Sequence, residues 1–343
     1  MRPFYYSVTT NFGDHMNAWM WRDLCPALVQ GNSPRLVGVG SLLSHNLDDV
    51  PGDKVVFGTG TGYSGLPTPE QAARWKIYCV RGPLTARHLG LDPAVAITDG
   101  AWLVDRLPEY ANLTRARRGT VFVPHWTSSQ YGNWAAQCAQ MDVDFVDPFW
   151  DGKRVLSAIA NADLAIVESL HGAIMADYYR TPWIAVSSPA RVLKFKWLDW
   201  CGSLDLSYRP FELPASDIFD ARLQGRAMGA NGGVPVPIDV APDTFDVAQS
   251  APTRAKPGPL NAARVQAKSV LRTTRAAGFR AMAALRGSGV ARRANRANAD
   301  EIAAYFEGLQ RQTPMLSSDA VRADRLARLS DAFERMLDDY NLR

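Results

Sequence analysis

Cysteine is scarce in this chain. The four present, Cys25, Cys79, Cys138 and Cys201, stand far apart and form no Cys-x-x-Cys pair. That spacing argues against a disulfide-rich scaffold and a cysteine-based zinc site, and reads them as reduced core or surface thiols. Long apolar runs are missing as well: no window approaches the roughly 18 residues that a spanning helix needs. From Met1 to Asp14 there is neither the apolar stretch nor the small-residue cleavage site of a secretory signal, so cytoplasmic residence is the expectation. The glycine-rich stretches lack the GxGxxG order and a Walker lysine, which makes them weak nucleotide signals. No cluster of metal-ligating residues is visible, and no metal is expected.

Acidic residues are missing from one stretch in particular. Between Arg254 and Arg296 there are eleven Lys or Arg and no Asp or Glu. Taking those eleven charges from the chain's net +4 leaves −7 on the remainder, so the asymmetry says more than the total.

What is present is an alternation of short apolar strands and helices. Strands are expected at Phe4–Val8, Leu36–Gly40, Val55–Gly62, Ile77–Val80 and Val95–Thr98, with a helix from about Ala18 to Val29 and another beginning at Pro83, a residue suited to the first helical position. A second run follows the basic stretch Arg115–Arg118: strands at Thr120–His125, Val143–Asp147, Ala165–Val167 and Trp183–Ser187. Helices near Asn133–Met141, Gly152–Asn161 and Ala173–Tyr179 separate them. Alternation of this kind, twice over, predicts an α/β fold of two Rossmann-like domains facing a cleft, 1–112 and 113–230, with one larger sheet as the competing arrangement.

Polar residues recur where these strands end, at the carboxyl edge where open α/β proteins bind ligands. Ala165–Asp177 is the richest such stretch: an apolar strand runs into Glu168, Ser169, His171 and Gly172 and then into a helix. His171 is therefore a stronger candidate for chemistry than any other histidine, against the alternative of a structural helix-capping role. Asp14 and Asn17 fall on or near the first turn of the first helix, where they either act on a ligand or cap. Arg81 ends a buried strand and needs an anionic partner, protein or ligand. Asp99 is placed to hold a hydroxyl or to cap, and His125 ends another strand. Ser188 and Pro189 read as the start of a helix whose N-terminus, with Arg191 and Lys194, suits an anion; the alternative is a solvated basic face with Trp197 and Trp200 in the core.

The order of these motifs carries a resemblance. Asn11–Asp14 with Asn17, the glycine-rich strand ends, Val80–Thr85, Thr98–Ala101 and Ser169–Ala176 resemble the polysaccharide pyruvyl transferases over roughly residues 4–205, and most of all the branch that pyruvylates bacterial exopolysaccharide repeat units. The resemblance implies a fold similar to GT-B glycosyltransferases and transfer of the enolpyruvyl group of phosphoenolpyruvate to a sugar as a cyclic ketal, with no cofactor besides that donor. It assigns donor binding to Arg81 and the general-acid role to His171. Many members carry Arg two residues before that histidine, where this chain has Ser169, so Arg191, Lys194 and Lys196 join Arg81 and Ser169 as donor-binding candidates. Asp14 or Asp99 is the candidate to accept a hydroxyl proton, with orienting the sugar as the alternative for each, and Asn17, Asp99 and His125 are the acceptor-binding candidates. The competing readings are a nucleotide-sugar glycosyltransferase and a non-catalytic glycan-binding partner in polysaccharide assembly.

Beyond the resemblance, 231–259 holds six prolines and reads as a linker. Residues 260–299 read as a cationic amphipathic segment able to lie on an anionic membrane surface, which predicts a peripheral enzyme acting on a lipid-linked oligosaccharide. No nucleic-acid motif accompanies the charge. Amphipathic helices at Asp300–Leu309 and Ser318–Tyr340 are expected to pack back on the body.

Overall fold

The computed structural model describes residues 1–5, 11–62, 65–188, 193–225, 227–240, 286 and 289–342. Arg191, Pro189 and the basic stretch 254–285 lie outside the described residues. Among the described residues, nine strands form two all-parallel sheets, which makes the fold α/β. The first sheet has the order β1-β2-β3-β4, from Arg2–Phe4, Arg35–Val37, Lys54–Thr59 and Lys76–Val80. The second has the order β6-β5-β7-β8-β9, from Thr120–Val123 (β5), Asp144–Phe145 (β6), Leu164–Val167 (β7), Trp183–Ser187 (β8) and Phe211–Glu212 (β9). Registers such as Val121 with Ala165 and Ile166 with Ile184 place apolar residues side by side. Strands β3, β5 and β8 are buried along their whole length, as their unbroken apolar runs require of parallel strands covered on both faces.

Three expectations are corrected. Val95–Thr98 is no strand: Pro93 opens one 3-10 turn and Asp99 caps another by accepting the Ala101 N–H at 3.0 Å. That leaves only an isolated bridge between Ala96 and Val80. The first helix runs Phe12–Leu24, beginning before Ala18, because the Asn11 side chain caps it from Asp14 N–H. The helix expected at Ser188 starts instead at Lys194. The short strand β9 gave no periodic signal.

A single apolar core binds the two sheets together. Met16, Trp21 and Phe57 on the first side belong to the same buried cluster as Val123, Val167 and Trp183 on the second. The Trp102 indole N–H also donates across to the Ile174 carbonyl at 3.0 Å. Helix Asp319–Asp339 joins this cluster through Phe333 and Met336, while helix Gly289–Gln310 covers the second sheet through Ile302, Tyr305 and Phe306. The latter helix runs without a break through position 299.

Candidate functional site

Helix Leu170–Tyr178 starts directly after β7 because Ser169 caps it, its hydroxyl accepting the Gly172 N–H at 3.3 Å. His171 thereby occupies the first turn, at the carboxyl edge of the second sheet. Two glycines of the first half close on its ring. A Cβ on Gly13 would lie 2.0 Å from Nδ1 of His171, and one on Gly40, where φ is +112°, 3.8 Å from Cε1. The Phe12 ring meets the imidazole edge-on at 6.3 Å. Nε2 of His171 is buried and has no hydrogen-bond partner among the described residues. Burial, then the charges of Lys196 and Arg81, lower its pKa from 6.5 to about 3.

Asp14 approaches the same place. Its Oδ1 would stand 3.3 Å from a Cβ on Gly40, and its other oxygen accepts the Asn11 amide at 2.6 Å. Burial raises its pKa, opposed by Asn11 and by the charge of Lys196. Lys196 is buried in helix Lys194–Ser203, and it acts on both Asp14 and His171. Lys194 is half-buried at the start of that helix.

Arg81 is joined to the group through Gly40, whose carbonyl accepts from Nη1 at 3.2 Å. The guanidinium is fully buried and held by the protein: Nε donates to Asp199 at 3.1 Å, Nη1 also to Ser41 at 2.7 Å, and Nη2 to the Thr61 carbonyl at 3.2 Å. Gly60 permits this approach, since a Cβ there would lie 2.4 Å from Nη2. The anion that a buried arginine needs is thus supplied by Asp199, a residue the sequence reading passed over; the one sign of it was a lone acid between Trp197 and Trp200, both fully buried.

The acceptor candidates are placed differently from the expectation. Asn17 is fully buried with every hydrogen-bonding position taken: Nδ2 donates to the Asp14 and Val39 carbonyls at 3.1 and 2.9 Å, while Oδ1 accepts the Val39 N–H and the Trp21 indole at 2.9 and 3.1 Å. It pins the first helix to the loop after β2 and leaves no group for a ligand. Asp99 is fully buried: its Oδ1 caps a turn, while its Oδ2 has no hydrogen-bond partner among the described residues. Burial pushes its pKa up to about 7, with Arg81 opposing. His125 caps helix Trp126–Tyr131 and its ring Nδ1 lies 2.7 Å from Thr127 Oγ1. Beneath it, Glu168 is fully buried, accepts the N–H groups of His125 and Ser188 at 3.0 and 3.3 Å and bonds the Ser188 hydroxyl. Glu168 therefore stitches together the ends of β5, β7 and β8, and Ser188 serves that stitch instead of capping a helix.

The geometry therefore converges on an imidazole, a buried lysine and a carboxyl group, with a buried arginine behind them that the protein holds by four of its five N–H groups. Comparison with known proteins bears on the same stretch. The family described as polysaccharide pyruvyl transferase matches residues 53–189, which include Arg81, His125, Glu168 and His171. The succinoglycan biosynthesis protein ExoV of Rhizobium meliloti (strain 1021) is 40% identical over 227 residues, 66% of this chain and 72% of that protein. No solved structure matches the chain. A relative this similar over most of its own length, with a family match spanning β3 to β8, makes this chain a transferase that belongs to the polysaccharide pyruvyl transferase family.

Proposed function

We propose that this transferase moves the enolpyruvyl group of phosphoenolpyruvate onto a sugar of an exopolysaccharide repeat unit, carried on a lipid, and closes a cyclic pyruvate ketal. The reaction takes place between two Rossmann-like halves arranged as in GT-B enzymes. The observation that carries this reading is the buried, unpartnered Nε2 of His171 beside the cations Lys196 and Arg81. The donor brings a carboxylate and a phosphate, which call for convergent positive charge; Lys196 supplies it directly, with Lys194 two residues before it in the chain and Ser169 two residues before His171, and Arg191, outside the described residues, is a further donor-binding candidate from the sequence.

The depressed pKa of His171 fits a donor-dependent proton. Without donor the imidazole is neutral at pH 7, because burial and the neighbouring cations disfavour the charged form. An anionic donor offsets those cations and raises the pKa toward neutrality, where a general acid is most effective. Imidazolium then protonates the methylene carbon of phosphoenolpyruvate and leaves positive charge at C2. One sugar hydroxyl adds there, giving its proton to Asp14, whose raised pKa suits that task. The bond from C2 to the phosphate oxygen breaks, and the second hydroxyl closes the ring. Of the two hydroxyl protons, one replaces the proton placed in the new methyl group and the other leaves with phosphate, so the sum is donor plus diol giving ketal plus inorganic phosphate.

The test is incubation with phosphoenolpyruvate and a panel of acceptor glycans, following phosphate release and the ketal by mass spectrometry. Release of phosphate coupled to ketal formation is expected. No release across the panel, together with thermal stabilisation by a nucleotide sugar, would overturn the reading in favour of glycosyl transfer.

Among the described residues no helix is long and apolar enough to cross a membrane. The lipid-linked acceptor is reached through the basic stretch instead, at about 1 kcal/mol for each cation near an anionic surface. Replacing the Lys and Arg residues of 254–280 by Gln should release the protein from anionic vesicles in a sedimentation assay. Unchanged sedimentation would end the membrane proposal.

A further inference from the structure

The buried ion pair of Arg81 and Asp199 connects parts of the chain that follow different sheets. Arg81 ends β4 of the first sheet, whereas Asp199 lies in helix Lys194–Ser203, which follows β8 of the second. Neither side chain is exposed to solvent. Asp199 takes two further donors from the same turn of the first half: the Thr85 N–H at 2.8 Å and the Thr85 hydroxyl at 2.7 Å. Its backbone closes on Gly82 so tightly that a Cβ there would stand 1.9 Å from the Asp199 carbonyl oxygen. Only glycine permits that approach. The helix is thus seated on the first half at one fixed point, by a carboxylate with three donors aimed at it.

Lys196 lies three residues before Asp199 on this helix, and residues three apart share a face. Its charge acts on His171 and Asp14. Two charged groups act on the imidazole, Arg81 just after β4 and Lys196. Of these, only Lys196 belongs to the second half of the chain.

We infer that Asp199 is a positioning residue. By clasping Arg81 and Thr85 across the two halves it fixes Lys196 beside His171 and Asp14, so the cation that meets the donor is aimed by a carboxylate that does not touch the donor. Arg81 then serves as the anchor of this clasp, which accounts for four of its five N–H groups being held inside the protein. The inference rests on the reading of Lys196 as the donor contact.

Two readouts test it, one kinetic and one independent of turnover. In the first, Asp199→Asn and Lys196→Gln each raise KM for phosphoenolpyruvate about tenfold while the acceptor KM changes little. The double variant is worse than Lys196→Gln by less than about twofold, because Asp199 acts through Lys196. Penalties that multiply, or an unchanged donor KM in Asp199→Asn, would overturn the inference. In the second, Thr85→Val loosens the clasp without altering any charge, and the His171 ring, followed by NMR in protein with labelled histidine, begins to protonate at higher pH as Lys196 withdraws. Asp199→Asn should shift the ring the same way. A downward shift there would mean that Lys196 had stayed in place beside an unmasked Arg81, and would sink the proposal; so would an unmoved ring in Thr85→Val. If the ring behaves as expected but the unaltered protein neither binds nor consumes phosphoenolpyruvate, the clasp stands and the donor assignment falls.

Discussion

The two carboxyl edges of this protein use the same residue types in opposite ways. At the edge of the first sheet, Asn17 has all four amide positions filled and Arg81 is locked to Asp199, while Asp99 caps a turn in full burial with one oxygen and leaves the other without a partner among the described residues. At the edge of the second sheet, Glu168 is filled by the fold, yet three residues later His171 presents a buried ring nitrogen with no partner among the described residues. The first half shapes one wall with its backbone, through Gly13 and Gly40, and the second half supplies the group that can exchange a proton. Residue type and strand-end location are thus shared by scaffold and site; filled hydrogen-bonding capacity sets Asn17 and Glu168 apart from His171, whereas the buried Asp99 carboxyl keeps one oxygen without a partner among the described residues.

His171→Gln should give the largest effect if that distinction holds. A loss of general-acid catalysis of about 10²–10⁴-fold in kcat is expected, with a thermal melt unaltered at a pH above the free imidazole pKa of 6.5; near-normal turnover would remove the imidazole from its role and erase the contrast between the edges. Gly13→Ala sharpens the claim that the first half contributes shape. A Cβ at that position would overlap the ring of His171, so the ring must shift, and a displacement of about 1 Å is enough for about a 10²-fold loss of activity. Turnover within a few-fold of the unaltered enzyme would show that the glycine is incidental.

Asn17→Ala probes the opposite category. Leaving the Val39 amide and carbonyl and the Trp21 indole without their partner should cost about 1–3 kcal/mol of stability, read from denaturant midpoints. At a temperature where the variant is folded, its acceptor KM should be little changed. An acceptor KM raised in proportion to the stability loss would return Asn17 to the site.

The smallest effect is a pair of opposed pH dependences. His171 is neutral in the folded protein down to about pH 3, whereas the unfolded chain takes up a proton near 6.5; between those values acid favours unfolding. Asp99 holds its proton up to about pH 7 when folded but loses it near 3.8 when unfolded, so its contribution is present in acid and is lost as pH rises through that window. His171→Gln should therefore soften the acid loss of stability, and Asp99→Asn should soften the loss toward neutral pH. Thermal melts across the range that shift both variants in the same sense would contradict these assignments.

Much of this architecture was legible beforehand. Apolar runs marked seven of the nine strands, a third-strand glycine cluster marked the close approach later seen at Arg81, and the motif order pointed to the family. Elements whose signal is mainly local capping were harder: Asn11 moved the start of the first helix, and Pro93 with Asp99 dissolved an expected strand into turns. Within the site, Lys196 was a candidate from the departure at Ser169 that the resemblance exposed, and His171 from its place where a strand ends and a helix begins. Asn17 and Asp99 were candidates for the same reason, and nothing local distinguished them from residues that meet a ligand.

The amino-acid order by itself determined where strands and helices lie, which residues stand at their ends, and the family to which the chain belongs, because those follow from periodicity, capping and motif spacing between neighbours along the chain. Which of those end residues remains open for chemistry was decided only in three dimensions. The partner that occupies Arg81 lies 118 residues away in sequence, and the one that pins Asn17 lies 22 away. Arg81 and Asn17 are scaffold because such distant partners arrive to fill them.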